Sequence, residues 1–161
     1  MSAYRSGLEL KVAEQLKAAY PSIEPVYERY VLAYTVPERT AHYTPDFVLP
    51  NDIIVETKGR FLTEDRQKHL LIKQQFPELD IRFVFTNSRQ KLYKGSKTSY
   101  GAWCVEHGFQ YADRLIPLAW LRESDVAEVN ARRAAVVQFM KYREKERKGA
   151  LMTRNDEVSR S

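Results

Sequence analysis

Apolar and polar residues alternate along this chain with two different periods, and the changes of period mark its elements. Leu8, Val12, Leu16 and Ala19 fall on one stripe at helical spacing and Pro21 ends the run, which predicts a helix from Ser6 to about Tyr20. Val26, Tyr30, Leu32, Tyr34 and Val36 share one parity, which predicts a single long strand. Residues 37–41 (Pro-Glu-Arg-Thr-Ala) read as a linker or bridge. Two apolar runs, Tyr43 to Leu49 and Ile53 to Lys58, flank Pro50-Asn51-Asp52, the pattern of a hairpin. Thr63-Glu64-Asp65 caps a second helix that carries His69 to Gln75 and stops at Phe76-Pro77.

The second half continues with a short strand, Ile81 to Phe85, and a polar loop, Asn87 to Tyr100. A short helix over Tyr100 to His107 stops at Gly108, and a brief strand follows over Phe109 to Ala112. Pro117 to Leu121 starts another helical turn. Glu123 to Lys148 contains neither Pro nor Gly and is rich in Ala, Arg, Glu and Val, which predicts one long helix, with Gly149 to Ser161 frayed beyond it. The fold class expected is mixed α/β: a domain over residues 1–122 and a helical extension over residues 123–161.

Composition narrows the chemistry. A chain of 161 residues that is 43% hydrophobic and 12% aromatic builds an ordinary core and is neither disordered nor fibrous. No apolar run approaches the roughly 20 residues needed to span a bilayer, and the first residues do not resemble a secretory signal, so the cytoplasm is the expected location. With one cysteine and three scattered histidines, neither a disulfide nor a zinc site is expected. Any metal would be held by oxygens. A net charge of +5 is compatible with a polyanionic partner, and is weak evidence alone.

The chemistry concentrates on the hairpin. In a strand Ile54, Glu56 and Lys58 point to one face, about 7 Å separating Glu56 from Lys58 at ~3.4 Å per residue. The turn can bring Asp46, which follows Pro45, next to Glu56. A lone E-x-K pair is ordinarily an exposed ion pair, but Ile53-Ile54-Val55 marks a strand buried on both faces, where charges need a reason. Two carboxylates and an ammonium there suit Mg²⁺ or Mn²⁺, an ion able to activate water against a phosphodiester, with Lys58 orienting the water and offsetting charge. Glu9 reads two ways. Ser6-x-x-Glu9 is a capping box, which spacing favours, yet Glu9 also borders the apolar stripe and could face inward; both roles require the carboxylate to turn from the Ser6 backbone. The loop from Ser88 to Tyr100 carries Arg89, Lys91, Lys94 and Lys97 with two tyrosines, and reads either as a phosphate-binding segment or as a solvated loop.

Taken together, Arg5-Ser6-Gly7-Leu8-Glu9, Tyr43-Thr44-Pro45-Asp46-Phe47, Val55-Glu56-Thr57-Lys58-Gly59, Lys68-His69-Leu70-Leu71-Ile72, Pro77-Glu78-Leu79-Asp80-Ile81-Arg82 and Lys91-Leu92-Tyr93-Lys94-Gly95-Ser96 resemble the phage endonuclease I type of Holliday-junction resolvase, within the PD-(D/E)-x-K nuclease superfamily. The match covers roughly residues 4 to 122, and its block from Lys91 to Tyr100 is more specific than the degenerate superfamily motif. The resemblance implies a restriction-endonuclease-like sheet flanked by helices. It implies that Asp46, Glu56, the Thr57 carbonyl and Glu9 hold two Mg²⁺ or Mn²⁺ ions, that Lys58 serves the attacking water, and that Arg5 joins the loop cations on DNA. It further implies a homodimer that exchanges the N-terminal helix and first strand across a bridge at residues 33–41, so that Glu9 of one chain meets Asp46 of the other, acting on four-way junctions in a phage-infected cell.

Two departures from the family are expected: a nearly absent basic N-terminal extension, and no counterpart for the helix from Glu123. That helix could bind DNA through Arg132, Arg133, Lys141, Arg143, Arg147 and Lys148, pack on the dimer, or stand free in solvent. The alternatives to a resolvase are a cutter of linear DNA, restriction-like or acting at transposon ends, and a non-catalytic junction-binding protein.

Overall fold

The computed structural model describes residues 3–36 and 38–142. Two sheets share the chain. The larger has five strands in the order β1 (Val26–Tyr27), β4 (Phe47–Val48), β5 (Ile54–Lys58), β6 (Ile81–Phe85) and β7 (Tyr111–Asp113). β4 and β5 form the expected hairpin, paired antiparallel with Phe47 opposite Val55 and closed by Asp52 in the left-handed region at φ 65°. From β5 onward the pairing is parallel: Glu56 lies beside Phe83 and Lys58 beside Phe85. Parallel neighbours need crossovers, and the helices α2 (Thr63–Gln75) and α3 (Tyr100–Glu106) supply them.

The period-2 pattern of β5 and β6 sends residues to two apolar layers. Ile54, Phe83 and Phe85 join Phe61, Ile72, Trp103 and Phe109 on the side of α2 and α3. Val55 and Val84 join Phe47, Val12, Leu16 and Trp120 under α1 (Gly7–Ala19) and α4 (Leu118–Leu121). β5 is therefore covered on both faces, as Ile53-Ile54-Val55 suggested.

Three expectations change. The single strand from Val26 to Val36 is broken: Glu28 takes φ 48°, and the chain turns from β1 in the larger sheet to β2 (Tyr30–Val36) in a second, three-stranded sheet. Parity survived the break because one left-handed residue redirects a strand without altering the alternation on either side of it. Residues 39–41, expected in the linker or bridge, lie in β3 (Arg39–Tyr43), which pairs back on β2 from Val36–Arg39 to Leu32–Tyr43 within the one chain. The run Tyr43 to Leu49 divides accordingly, Tyr43 closing β3 and only Phe47–Val48 forming β4.

The long C-terminal helix is also shorter. α5 spans Val126–Phe139, opened by Asp125, whose carboxylate accepts the Glu128 amide at 3.0 Å. Met140 is extended and buried, and β8 (Lys141–Tyr142) pairs with Val31 and Tyr30 on the open edge of β2. Edge pairing and burial of Met140 outweigh helical propensity there. Ala135 and Val136 join the main core, so α5 packs on the domain. Arg132, 6% exposed, reaches the Asn51 carbonyl at 2.9 Å and Glu123 at 3.4 Å, and Arg133 holds Asp52 at 2.6 Å. These two arginines, considered above as DNA contacts, are tied into the fold. Arg143, Arg147 and Lys148 lie outside the described residues. No helix among the described residues is long and apolar enough to cross a membrane.

Candidate active site

Glu56 sits in the middle of the sheet and is 3% exposed. Its Oε2 accepts the Tyr43 hydroxyl at 2.7 Å and the Asp46 amide at 3.4 Å. Burial first, and the charge of Asp46 second, push its pKa up to about 8. Asp46 precedes β4, where it meets the end of β5: its Oδ2 accepts the Thr57 amide and the Thr57 hydroxyl, both at 2.8 Å. Burial raises its pKa to about 6, against the lowering effect of those two bonds. Lys58 closes the group, with Nζ 4.0 Å from Glu56 Oε1 and 3.1 Å from Asp65 Oδ1. Burial would neutralise this lysine, but Glu56 and Asp65 more than offset that and leave its pKa raised.

Glu9 resolves its two readings by occupying both positions. The capping box is complete: Ser6 Oγ accepts the Glu9 amide at 3.1 Å, and Glu9 Oε2 accepts the amides of Ser6 at 3.2 Å and Arg5 at 2.7 Å. The same Oε2 accepts the Tyr27 hydroxyl at 2.7 Å. Glu9 is nevertheless buried beside Asp46, with carboxylate oxygens of Glu9, Glu28 and Asp46 all within 4.8 Å of one another. The carboxylate does not have to leave the Ser6 backbone, because the cap uses one oxygen and no described residue bonds the other. In this chain the encounter of Glu9 with Asp46 is internal.

Glu28 was missed. Its left-handed backbone, which lets its amide reach the Asp46 carbonyl at 2.9 Å, turns its side chain into the cleft, where it pairs with Arg5. Parity had placed it in mid-strand, and only the corner reveals it. Lys68 and His42 also line this cleft, a space of about 360 Å³. A larger apolar groove of about 660 Å³ between α1, β1 and α5 contains none of Glu9, Asp46, Glu56 and Lys58, only Arg133 and Lys141 of the residues considered above, and offers no comparable chemistry. The cations of the polar loop lie elsewhere. Arg89, Lys91, Lys94 and Lys97 are exposed and outside the cleft lining, on a loop closed by the Lys91–Ser99 bridge and anchored by Ser88 on Asp113 at 2.6 and 2.7 Å. Its two tyrosines part company, Tyr93 standing 66% exposed while Tyr100 is in the core.

The sequence that builds this arrangement has relatives among known proteins. A sequence model of phage endonuclease I matches residues 1–141. The chain belongs to the phage endonuclease I family. It is 54% identical over 123 residues to endonuclease I of Escherichia phage T7, covering 76% of this chain and 81% of that protein. It is 56% identical over 121 residues to endodeoxyribonuclease 1 of Enterobacteria phage T3, covering 75% and 78% respectively. The family match runs through α5, which corrects the expectation that nothing from Glu123 onward has a counterpart.

Proposed function

We propose that this chain is a metal-dependent deoxyribonuclease that resolves branched DNA by hydrolysing phosphodiester bonds in the cleft around Asp46, Glu56 and Lys58. Kinship with an endonuclease I and an endodeoxyribonuclease 1 supports the deoxyribonuclease activity. The observation that carries the site is the pair of buried carboxylates, both with raised pKa values, beside a lysine that remains charged. Buried like charges are held at a cost unless a cation repays it, and the donors are the hard oxygens that Mg²⁺ and Mn²⁺ prefer.

Asp46 and Glu56, with the Thr57 carbonyl, would hold one cation, and Glu9 with Asp46 a second. Bound there, the metal supplies charge against the phosphate and lowers the pKa of water. Lys58, steered by Asp65, places an ammonium 4.0 Å from Glu56, where it orients the attacking water and offsets charge growing on the phosphate as the new P–O bond forms and the bond to the leaving oxygen breaks. Arg5 at the cleft and Arg89, Lys91, Lys94 and Lys97 on the outer loop would neutralise backbone phosphates and fix register.

The acting species in this reading is a homodimer with exchanged N-terminal elements. Exchange would keep the contacts of Glu9 with Arg5, Ser6 and Tyr27 in its own chain and move that with Asp46 to the other, and two sites on a two-fold axis suit the paired incisions of a four-way junction. The test is junction cleavage with Mg²⁺, with chelator, and with Asp46→Ala in Mg²⁺. Chelator and substitution each lower the rate by at least about a thousandfold, roughly 4 kcal/mol of barrier. Undiminished cleavage by Asp46→Ala would place the chemistry elsewhere.

A further inference from the structure

The carboxylates of the cleft share a detail of bonding that the catalytic reading does not use. Glu9 and Glu56 each give one oxygen, Oε2, to a tyrosine hydroxyl at 2.7 Å, Tyr27 for Glu9 and Tyr43 for Glu56. Neither phenol is free to swing. The Tyr27 ring is held by Tyr4 at 4.5 Å and Phe47 at 5.2 Å, and the Tyr43 ring, fully buried, stands edge-on to His69 at 5.1 Å. His69 is itself fully buried and its pKa is driven well below the usual histidine range by that burial. Among the described residues neither of its nitrogens has a hydrogen-bond partner, so its ring serves as an aromatic wall for Tyr43.

We infer that Tyr27 and Tyr43 are positioning residues that restrict Glu9 and Glu56 to one ligand oxygen each, and so select a small six-coordinate cation over Ca²⁺. The inference rests on the cation-binding reading of the cleft. A carboxylate with one oxygen engaged by a rigid phenol presents the other alone, and at Glu9 the Arg5 and Ser6 amides hold the same Oε2 together with Tyr27. Mg²⁺ and Mn²⁺ accept single oxygens at octahedral positions, whereas Ca²⁺ takes more ligands and often uses carboxylates through both oxygens. Partners behind metal ligands ordinarily affect affinity strongly. Asp46 follows the same scheme without a tyrosine, its Oδ2 being taken by Thr57.

The test uses the full chain without DNA. Mn²⁺ and Ca²⁺ are titrated calorimetrically into the parent, Tyr27→Phe and Tyr43→Phe, and the ratio of the two dissociation constants is compared. A phenylalanine keeps the ring and removes only the oxygen, so a purely structural role would weaken both ions alike and leave the ratio. The inference expects the preference for Mn²⁺ to fall at least about threefold in Tyr43→Phe, within the range such partners command, and by a smaller factor in Tyr27→Phe, where the Arg5 and Ser6 amides still hold Glu9 Oε2. It also expects Tyr43→Phe to add nothing to the loss once Glu56→Gln is present. A ratio changed by less than about threefold in Tyr43→Phe, whatever the absolute affinities, overturns it. If Tyr43→Phe fails to fold, Tyr27→Phe decides, since Tyr27 is not in the deep core, and an unchanged ratio there overturns the inference. If the parent itself takes up neither ion, the cation reading of the cleft fails first, and the two failures are distinct.

Discussion

Glu56 is a carboxyl group set where its charge is disfavoured, and that has a consequence for stability. With metal removed, Glu56 titrates at about 8 and Asp46 at about 6 in the folded chain, against roughly 4 in an unfolded one. The folded state therefore holds protons that the unfolded state has released, and stability falls as pH rises from about 4 to about 8. In chelator, the melting temperature of the parent should drop relative to that of Glu56→Gln across this window, because the glutamine has no proton to lose. A constant difference between the two from pH 5 to 8 would contradict the burial argument. The triad was legible in the sequence because strand parity puts Glu56 and Lys58 on one face, and a strand apolar on both sides makes them conspicuous. Tyr27, Tyr43 and Glu28 were not, since each reaches the cleft through a corner or a cross-sheet contact that no local pattern records.

Elements whose patterns reflect local burial were readable: α1, the hairpin into β5, α2, β6 and α3 all lie close to where their periodicity put them. The exceptions are settled by long-range pairing. β8 ends α5 because it completes the edge of β2, and that edge is more than a hundred residues away in sequence. α5 carries the element-scale prediction. Arg132 ties it to the β4–β5 turn through the Asn51 carbonyl and to the Asp80–Arg82–Glu123 group, where Arg82 bonds both acids at 2.7 to 2.9 Å. Arg132→Ala should cost about 2–3 kcal/mol in denaturant unfolding while junction affinity, measured on the folded protein, stays within twofold. Weaker junction binding at unchanged stability would instead assign α5 to DNA.

At the scale of the molecule, the family shared with the phage T7 and T3 proteins agrees with the enzymatic reading, and the proposed dimer would give it a geometry. Glu9 and Asp46 come from segments on either side of the expected bridge, so exchange of N-terminal elements would assemble each site from two chains. A Glu9→Ala chain and a Glu56→Ala chain, each inactive alone, should then regain activity when mixed as heterodimers, because one site collects both lesions and the other neither. Heterodimers that form and remain inactive would mean that each chain builds its own site. The most direct measurement compares Mg²⁺-dependent cleavage of a four-way junction with that of a linear duplex of the same sequence, using the parent and Asp46→Ala. The account predicts that the parent cuts the junction at least about a hundredfold faster, a difference of nearly 3 kcal/mol, and that Asp46→Ala cuts neither. Equal rates on both substrates would contradict it.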